Sequence, residues 1–217
     1  MFRQRILLQL SVKGDIRFAS HHDLMRVLGR SARRAGLPVA MSEGFNPRQK
    51  ISLLLARGVG VASESEFAEL DLDEWMSAGE VARRLNENLP EGLHVERAVL
   101  GDPRERRRVV GIDYRVSCRC APPFGPADVE TLLAQPETHV RRERRKTGKP
   151  VRVRDVDIRP FIRSIRVAAR SVEMSLAVTS DGTTRPEEIW EALGGTADTL
   201  LADCTVTRTA MQLSPPV

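Results

Sequence analysis

The chain has 217 residues, of which 41% are hydrophobic and 29% charged, and its formal net charge is +5. This length suits one large domain or two small ones, each with a packed core. No apolar run approaches the roughly 20 residues that span a membrane, and three cysteines give no disulfide framework, so we expect a cytoplasmic protein with no membrane partner.

The first half of the chain predicts the order strand, helix, two strands, helix, strand. Apolar residues alternate over 3–12, which is typical of a half-buried strand. Ser20 and Asp23 then have the spacing of an N-cap and its partner, and apolar residues recur at helical spacing until Gly36. The later strands are expected at 51–55, 66–72 and 93–99, and the second helix at 78–89.

The second half repeats this order around a basic insertion. Two β-α-β-β-α-β units predict an α+β protein of two tandem ferredoxin-like domains, 1–100 and 109–217, with antiparallel sheets and helices on one face. The expected elements are strands at 112–120, 161–168, 172–178 and 204–211, helices at 126–134 and from Arg185 to Gly194, and a hairpin at 138–154.

Several motifs occur together in this chain. They are FASHHDL at 18–24, RSARRAGLP at 30–38, GFNP at 44–47, GVG at 58–60 and VDIRPFI at 156–162. In this combination the chain resembles the radical-SAM-linked domain family of unknown function, whose members are fused to, or encoded beside, B12-binding radical SAM proteins. The family motif residues are Ser20, His21, Asp23, Gly44, Phe45, Asn46 and Pro47, and where the family usually continues with His-Pro-Lys this chain has Arg48-Gln49-Lys50.

The resemblance implies a radical SAM partner that carries an iron–sulfur cluster, S-adenosylmethionine and cobalamin. The three cysteines of this chain are spaced as C-x-C plus one distant residue, so the chain lacks the C-x-x-x-C-x-x-C loop that holds such a cluster. We therefore expect no metal or cofactor in this chain. Cys118, Cys120 and Cys204 are predicted to be small core residues.

The residues Ser20, His21, His22 and Asp23 favour a helix start over an active site. The cap accounts for Ser20 and Asp23, and His21 is only a weak candidate for a general base. On the helix that follows, Arg26, Arg30, Arg33 and Arg34 share a stripe. Such a stripe fits either phosphate binding or an ordinary solvated face.

The GFNP loop and the predicted hairpin carry the other candidate binding residues. Phe45 is expected either to stack on a base or to anchor its loop to the core, and Asn46, Arg48 and Lys50 lie beside it. The hairpin suits an RNA or DNA groove, although the six acidic residues between Glu64 and Glu74 could instead dock it. Its basic residues are Arg141, Arg142, Arg144, Arg145, Lys146 and Lys149.

These features favour a non-catalytic accessory module that recognises RNA, or a ribosome-associated target, for a radical SAM partner. One alternative is a metal-independent endoribonuclease, in which His21 is the base and Arg30 or Lys50 holds the phosphate. Another is a protein–protein adaptor that uses the acidic strand.

Overall fold

The structure is a computed structural model that describes residues 4–105, 107–144 and 151–215. The chain divides into two compact units, Met1–Val109 with Arg208–Val217 as unit 1 and Val110–Thr207 as unit 2. The sequence predicts boundaries of 1–100 and 109–217. The structure differs at the C-terminus, because the last residues of the final strand belong to unit 1.

Unit 1 follows the element order that periodicity predicts. The first strand of the unit pairs antiparallel with the third and with the fourth strand. The short second strand pairs antiparallel with the third. A single 3-10 turn, Gly14–Phe18, connects the first strand to the first helix. The elements are β1 (Gln4–Val12), α1 (His21–Arg34), β2 (Ile51–Leu53), β3 (Ala62–Leu72), α2 (Ala78–Asn86) and β4 (Leu93–Gly101), with β1 between β3 and β4 and with β2 on β3.

The core of unit 1 lies between the sheet and its two helices. The alternating residues Ile6 and Leu8 of β1 are buried in one cluster with Leu24 and Leu28 of α1. The period of two in the strand and of about 3.6 in the helix therefore bring the two apolar faces together. This packing turns the opposite side of α1 outward, where the arginines lie.

A buried ion pair joins the final strand to unit 1. The guanidinium of Arg208 donates to both carboxylate oxygens of Glu66, at 2.9 and 3.1 Å, and to the carbonyl of Ala56 at 3.1 Å. The two side chains are 2% and 1% exposed. Burial raises the pKa of Glu66, while the charge of Arg208 opposes that rise. This pair spans 142 residues of sequence, and no local pattern indicates it.

Unit 2 contains the insertion that the sequence predicts. Strand β9 pairs antiparallel with β5 and with β8, and the hairpin forms a separate two-stranded sheet. Helix α5 is an addition that the sequence did not predict. The elements are β5 (Val109–Cys118), α3 (Pro126–Ala134), β6 (His139–Arg144), β7 (Arg152–Asp157), β8 (Ile162–Ala168), β9 (Ser171–Ala177), α4 (Pro186–Ala192), α5 (Ala197–Asp203) and β10 (Cys204–Leu213), of which the residues from Arg208 onward belong to unit 1.

The predicted α+β class with antiparallel strands is confirmed, while the tandem ferredoxin-like arrangement stays a prediction. The described part of the chain contains no helix long and apolar enough to cross a membrane.

The prediction that all three cysteines are core residues is wrong, since Cys120 is exposed and the other two are only half-buried. Strand β5 ends at Cys118, so Cys120 lies beyond the alternation that would have buried it. Cys118 and Cys204 are half-buried, and their sulfur atoms are 2.7 Å apart.

Candidate functional site

A groove of about 490 Å³ lies along the outer side of α1 in unit 1. One wall is the helix, and the other is the segment that leads into β2. The lining residues include four arginines, and no carboxylate is among them. They are His22, Met25, Arg26, Gly29, Arg30 and Arg33 from the helix, with Arg48, Gln49 and Ile51 opposite.

Helical spacing accounts for three of these arginines. Arg26, Arg30 and Arg33 are four and three residues apart, so they follow one side of the helix. The opposite wall lies close to the helix at Gly29, where a Cβ would be 2.6 Å from the amide oxygen at the end of the flexible Gln49 side chain. Sequence reasoning missed Gln49 as a lining residue, since the contact joins segments with no local relation.

Arg34, the fourth member of the predicted stripe, does not line the groove. Its guanidinium donates to the carbonyl of Asn88 at 2.6 Å and to the hydroxyl of Ser31 at 3.2 Å. One further residue along a helix turns the side chain by about 100°, which directs Arg34 to the end of α2. Arg34 therefore stabilises the contact between α1 and the turn after α2. It is exposed but lies outside the groove, and its role in binding stays a prediction.

The start of α1 is the cap that the sequence predicts. The Ser20 hydroxyl accepts from the Asp23 backbone N–H at 3.2 Å and donates to the Asp23 carboxylate at 2.6 Å. Arg26 donates to the other oxygen of Asp23 at 3.1 Å. The hydrogen bond from Ser20 and the charge of Arg26 lower the pKa of Asp23. Because Arg26 is also a lining residue, its hydrogen bond to Asp23 connects the helix cap to one end of the groove.

The two histidines at this end have different surroundings. His22 lines the groove, whereas His21 is not among the lining residues. The Nδ1 atom of His21 is buried without a hydrogen-bond partner in the described part of the chain, and its ring meets that of His22 edge-on, with centroids 5.6 Å apart. Of the phosphate-holding residues in the endoribonuclease hypothesis, Arg30 lines the groove and Lys50 does not. The endoribonuclease hypothesis stays a prediction, and His21, the base that it proposes, does not line the groove.

The GFNP loop rises from the wall opposite α1. It is closed at its base by a bridge between Met41 and Gln49 and by two hydrogen bonds between Ser42 and Arg48, at 2.7 and 2.9 Å. Phe45 at the tip is fully exposed, so the hypothesis that this ring anchors the loop to the core is wrong. Because the loop closes at its base, the residues at its tip project away from the core and do not pack against it. Gly44, Asn46 and Pro47 are exposed as well.

The basic hairpin is present, but one of its arginines has a structural role. Arg142 forms a bidentate ion pair with Glu188, at 2.7 and 2.8 Å, and donates to the carbonyl of Thr183 at 2.7 Å. A side chain held by three hydrogen bonds is not available to RNA. Arg141 is exposed. Only the backbone of Arg144 is described, and Arg145, Lys146 and Lys149 lie outside the described residues.

The acidic residues of β3 are partly neutralised within unit 1. Arg5 pairs with Asp71 at 2.8 Å and with Glu69 at 3.4 Å, and Glu66 pairs with Arg208 as described above. Half of the six carboxylates in this stretch therefore have an internal partner, which weakens both the docking and the adaptor hypotheses.

Residues 4–105, 107–144 and 151–215 contain no group of three or more histidine, cysteine or acidic side chains placed to hold a metal ion.

Comparison with known proteins gives a family match and distant structural likenesses. The family model for "Uncharacterized protein conserved in bacteria (DUF2344)" matches residues 5–186. A "Crystal Structure of a Cbf5-Nop10-Gar1 Complex" is similar with a TM-score of 0.42 and 10% identity, over 95% of this chain and 48% of that chain. The chain thus spans about half the length of that structure, and a TM-score this low supports no conclusion. No curated protein matches.

Proposed function

The chain belongs to the family "Uncharacterized protein conserved in bacteria (DUF2344)", and we propose that it is an accessory module that binds RNA. The arginine groove of unit 1 would hold the RNA phosphates, and a radical SAM protein would act on the bound RNA. In this proposal the chain supplies recognition and no catalytic group.

The groove arginines carry the proposal. The side chains of Arg30, Arg33 and Arg48 make no ion pair within the described residues, and all three are exposed. Like charges placed together repel one another, so a bound anion lowers the free energy of the site. Guanidinium groups bind phosphate oxygens in two-point contacts. Among the four groove arginines, Arg26 alone has a counter-charge from the described part of the chain, the carboxylate of Asp23.

The resemblance to the radical-SAM-linked family supports the choice of partner. Such a partner would bring the iron–sulfur cluster, S-adenosylmethionine and cobalamin, and this chain would bring the substrate. We also propose a ferredoxin-like topology for both units and a cytoplasmic location. The antiparallel order β4-β1-β3-β2 in unit 1 supports the topology.

Salt-dependent RNA binding tests the groove. We expect the double variant Arg30→Ala/Arg33→Ala to weaken RNA binding, measured by fluorescence anisotropy, and to reduce the slope of log K against log salt by about 1.4, the value for two lost single-strand phosphate contacts. The control is Arg104→Ala/Arg170→Ala, which removes the same charge from two exposed positions outside the groove. If both double variants lower the slope equally, the groove has no special role.

Co-purification tests the partner. The full chain and a radical SAM protein of the kind that the resemblance implies should remain together after nuclease treatment if they touch directly. A pair that never associates contradicts the accessory role, whereas a pair that separates on nuclease treatment is held together by RNA and not by a direct contact.

A further inference from the structure

We infer that the groove takes single-stranded RNA, with an unpaired base stacked on Phe45 and the adjoining phosphates held by the arginines. This inference rests on the proposed function and names the form of RNA that the site selects.

The exposure of Phe45 is the first observation. Its ring is fully exposed at the tip of the GFNP loop, where water meets both of its faces. A single exposed apolar side chain is common on protein surfaces. This one stands on the same loop whose base forms a wall of the arginine groove, and a nucleobase is a partner that suits a ring beside guanidinium groups.

The loop keeps Phe45 close to the groove along the chain. The Met41–Gln49 bridge and the two Ser42–Arg48 hydrogen bonds close its base, and Arg48 and Gln49 themselves line the groove. Phe45 is three residues from Arg48, so their backbones are at most about 11 Å apart. A short oligonucleotide can therefore contact the ring and the groove together.

The ring distinguishes unpaired from paired RNA. In an A-form duplex each base is stacked between its neighbours and its face is not available to a protein side chain, whereas unpaired bases turn outward and stack on aromatic rings. The arginines alone would bind phosphates of either form. The combination of stacking ring and cationic groove thus favours a loop, bulge or single-stranded end.

The test compares a short unstructured RNA with the duplex of the same sequence. Phe45→Ala should weaken binding of the single strand by about five- to a hundredfold, the range for loss of one stacked base, and should leave the salt slope unchanged because no charge is lost. Phe45→Trp should keep the affinity. Trp75→Ala is the matched control, since Trp75 is another exposed aromatic residue of unit 1.

The outcomes separate this inference from the proposed function. Unchanged single-strand affinity in Phe45→Ala overturns the stacking inference, and so does equal affinity of the wild-type protein for single-stranded and duplex RNA. If Arg30→Ala/Arg33→Ala still lowers the salt slope in those cases, the groove remains an RNA site. If neither variant changes binding, both proposals fail.

Discussion

Removing the Arg142 side chain should destabilise the protein rather than weaken RNA binding. The side chains of Arg142 and Glu188 are 26% and 12% exposed, and together they make two charged hydrogen bonds, with a third to Thr183. Arg142→Ala would leave the carboxylate of Glu188 with its hydrogen bonds from Thr184 and Arg185 but no counter-charge.

The expected loss follows from this geometry. Breaking a fully buried pair by removing one partner costs about 3–5 kcal/mol, and partial exposure of Arg142 reduces that to about 2–3 kcal/mol. For a chain of this size each kcal/mol lowers the melting temperature by about 2–4 °C, so a fall of about 4–12 °C is expected. Arg142→Lys should recover only part of it, because lysine makes no bidentate contact.

Calorimetry measures this loss, with Arg141→Ala as the control. Arg141 is the neighbouring residue of β6 and is exposed, so its removal should change the melting temperature little. A melting temperature of Arg142→Ala equal to that of Arg141→Ala would refute the structural role of the ion pair.

Acid should remove the same stabilisation. Burial raises the pKa of Glu188, but the hydrogen bond from Arg142 and the further bonds outweigh it, so the folded-state pKa lies below the ordinary value of 4.5. A depressed pKa gives stability that is present above 4.5 and is lost as the pH falls through the folded-state value. The difference in melting temperature between wild type and Arg142→Ala should therefore become smaller below about pH 4.5. A difference that stays constant with pH would contradict this assignment.

Two further predictions concern the helix cap and the cysteines. Ser20→Ala should lower the free energy of unfolding by about 1 kcal/mol, measured by urea denaturation, while Ser20→Thr should retain most of it; an unchanged value in Ser20→Ala would contradict the cap. Burial and the neighbouring Cys118 thiol raise the pKa of Cys204 to about 12, which keeps Cys204 protonated at neutral pH. Iodoacetamide followed by mass spectrometry should therefore modify the exposed Cys120 first, and earlier labelling of Cys204 would count against this arrangement.

Local patterns were enough to predict the order of elements and the cap. Apart from the short strand β2, the strands and helices of unit 1 follow from a repeat of two or of about 3.6 residues, and such repeats depend only on neighbours in sequence. The cap at Ser20 joins residues three positions apart, so it too was predictable. Helix α5, Ala197–Asp203, escaped prediction because seven residues show no clear repeat and, unlike α4, it has no proline in its first turn to mark its start.

Contacts between distant segments decided the function of individual residues. Arg142 and Arg141 are adjacent and alike in sequence, but Glu188, 46 residues away, binds only the first. Arg34 continues the stripe of Arg30 and Arg33, but the end of α2 removes it from the groove. The sequence therefore specified where arginines and an aromatic ring occur and on which face of a local element. Which of them remain available to a ligand was settled by packing, because a charged side chain binds whatever opposite charge or carbonyl the fold brings within reach.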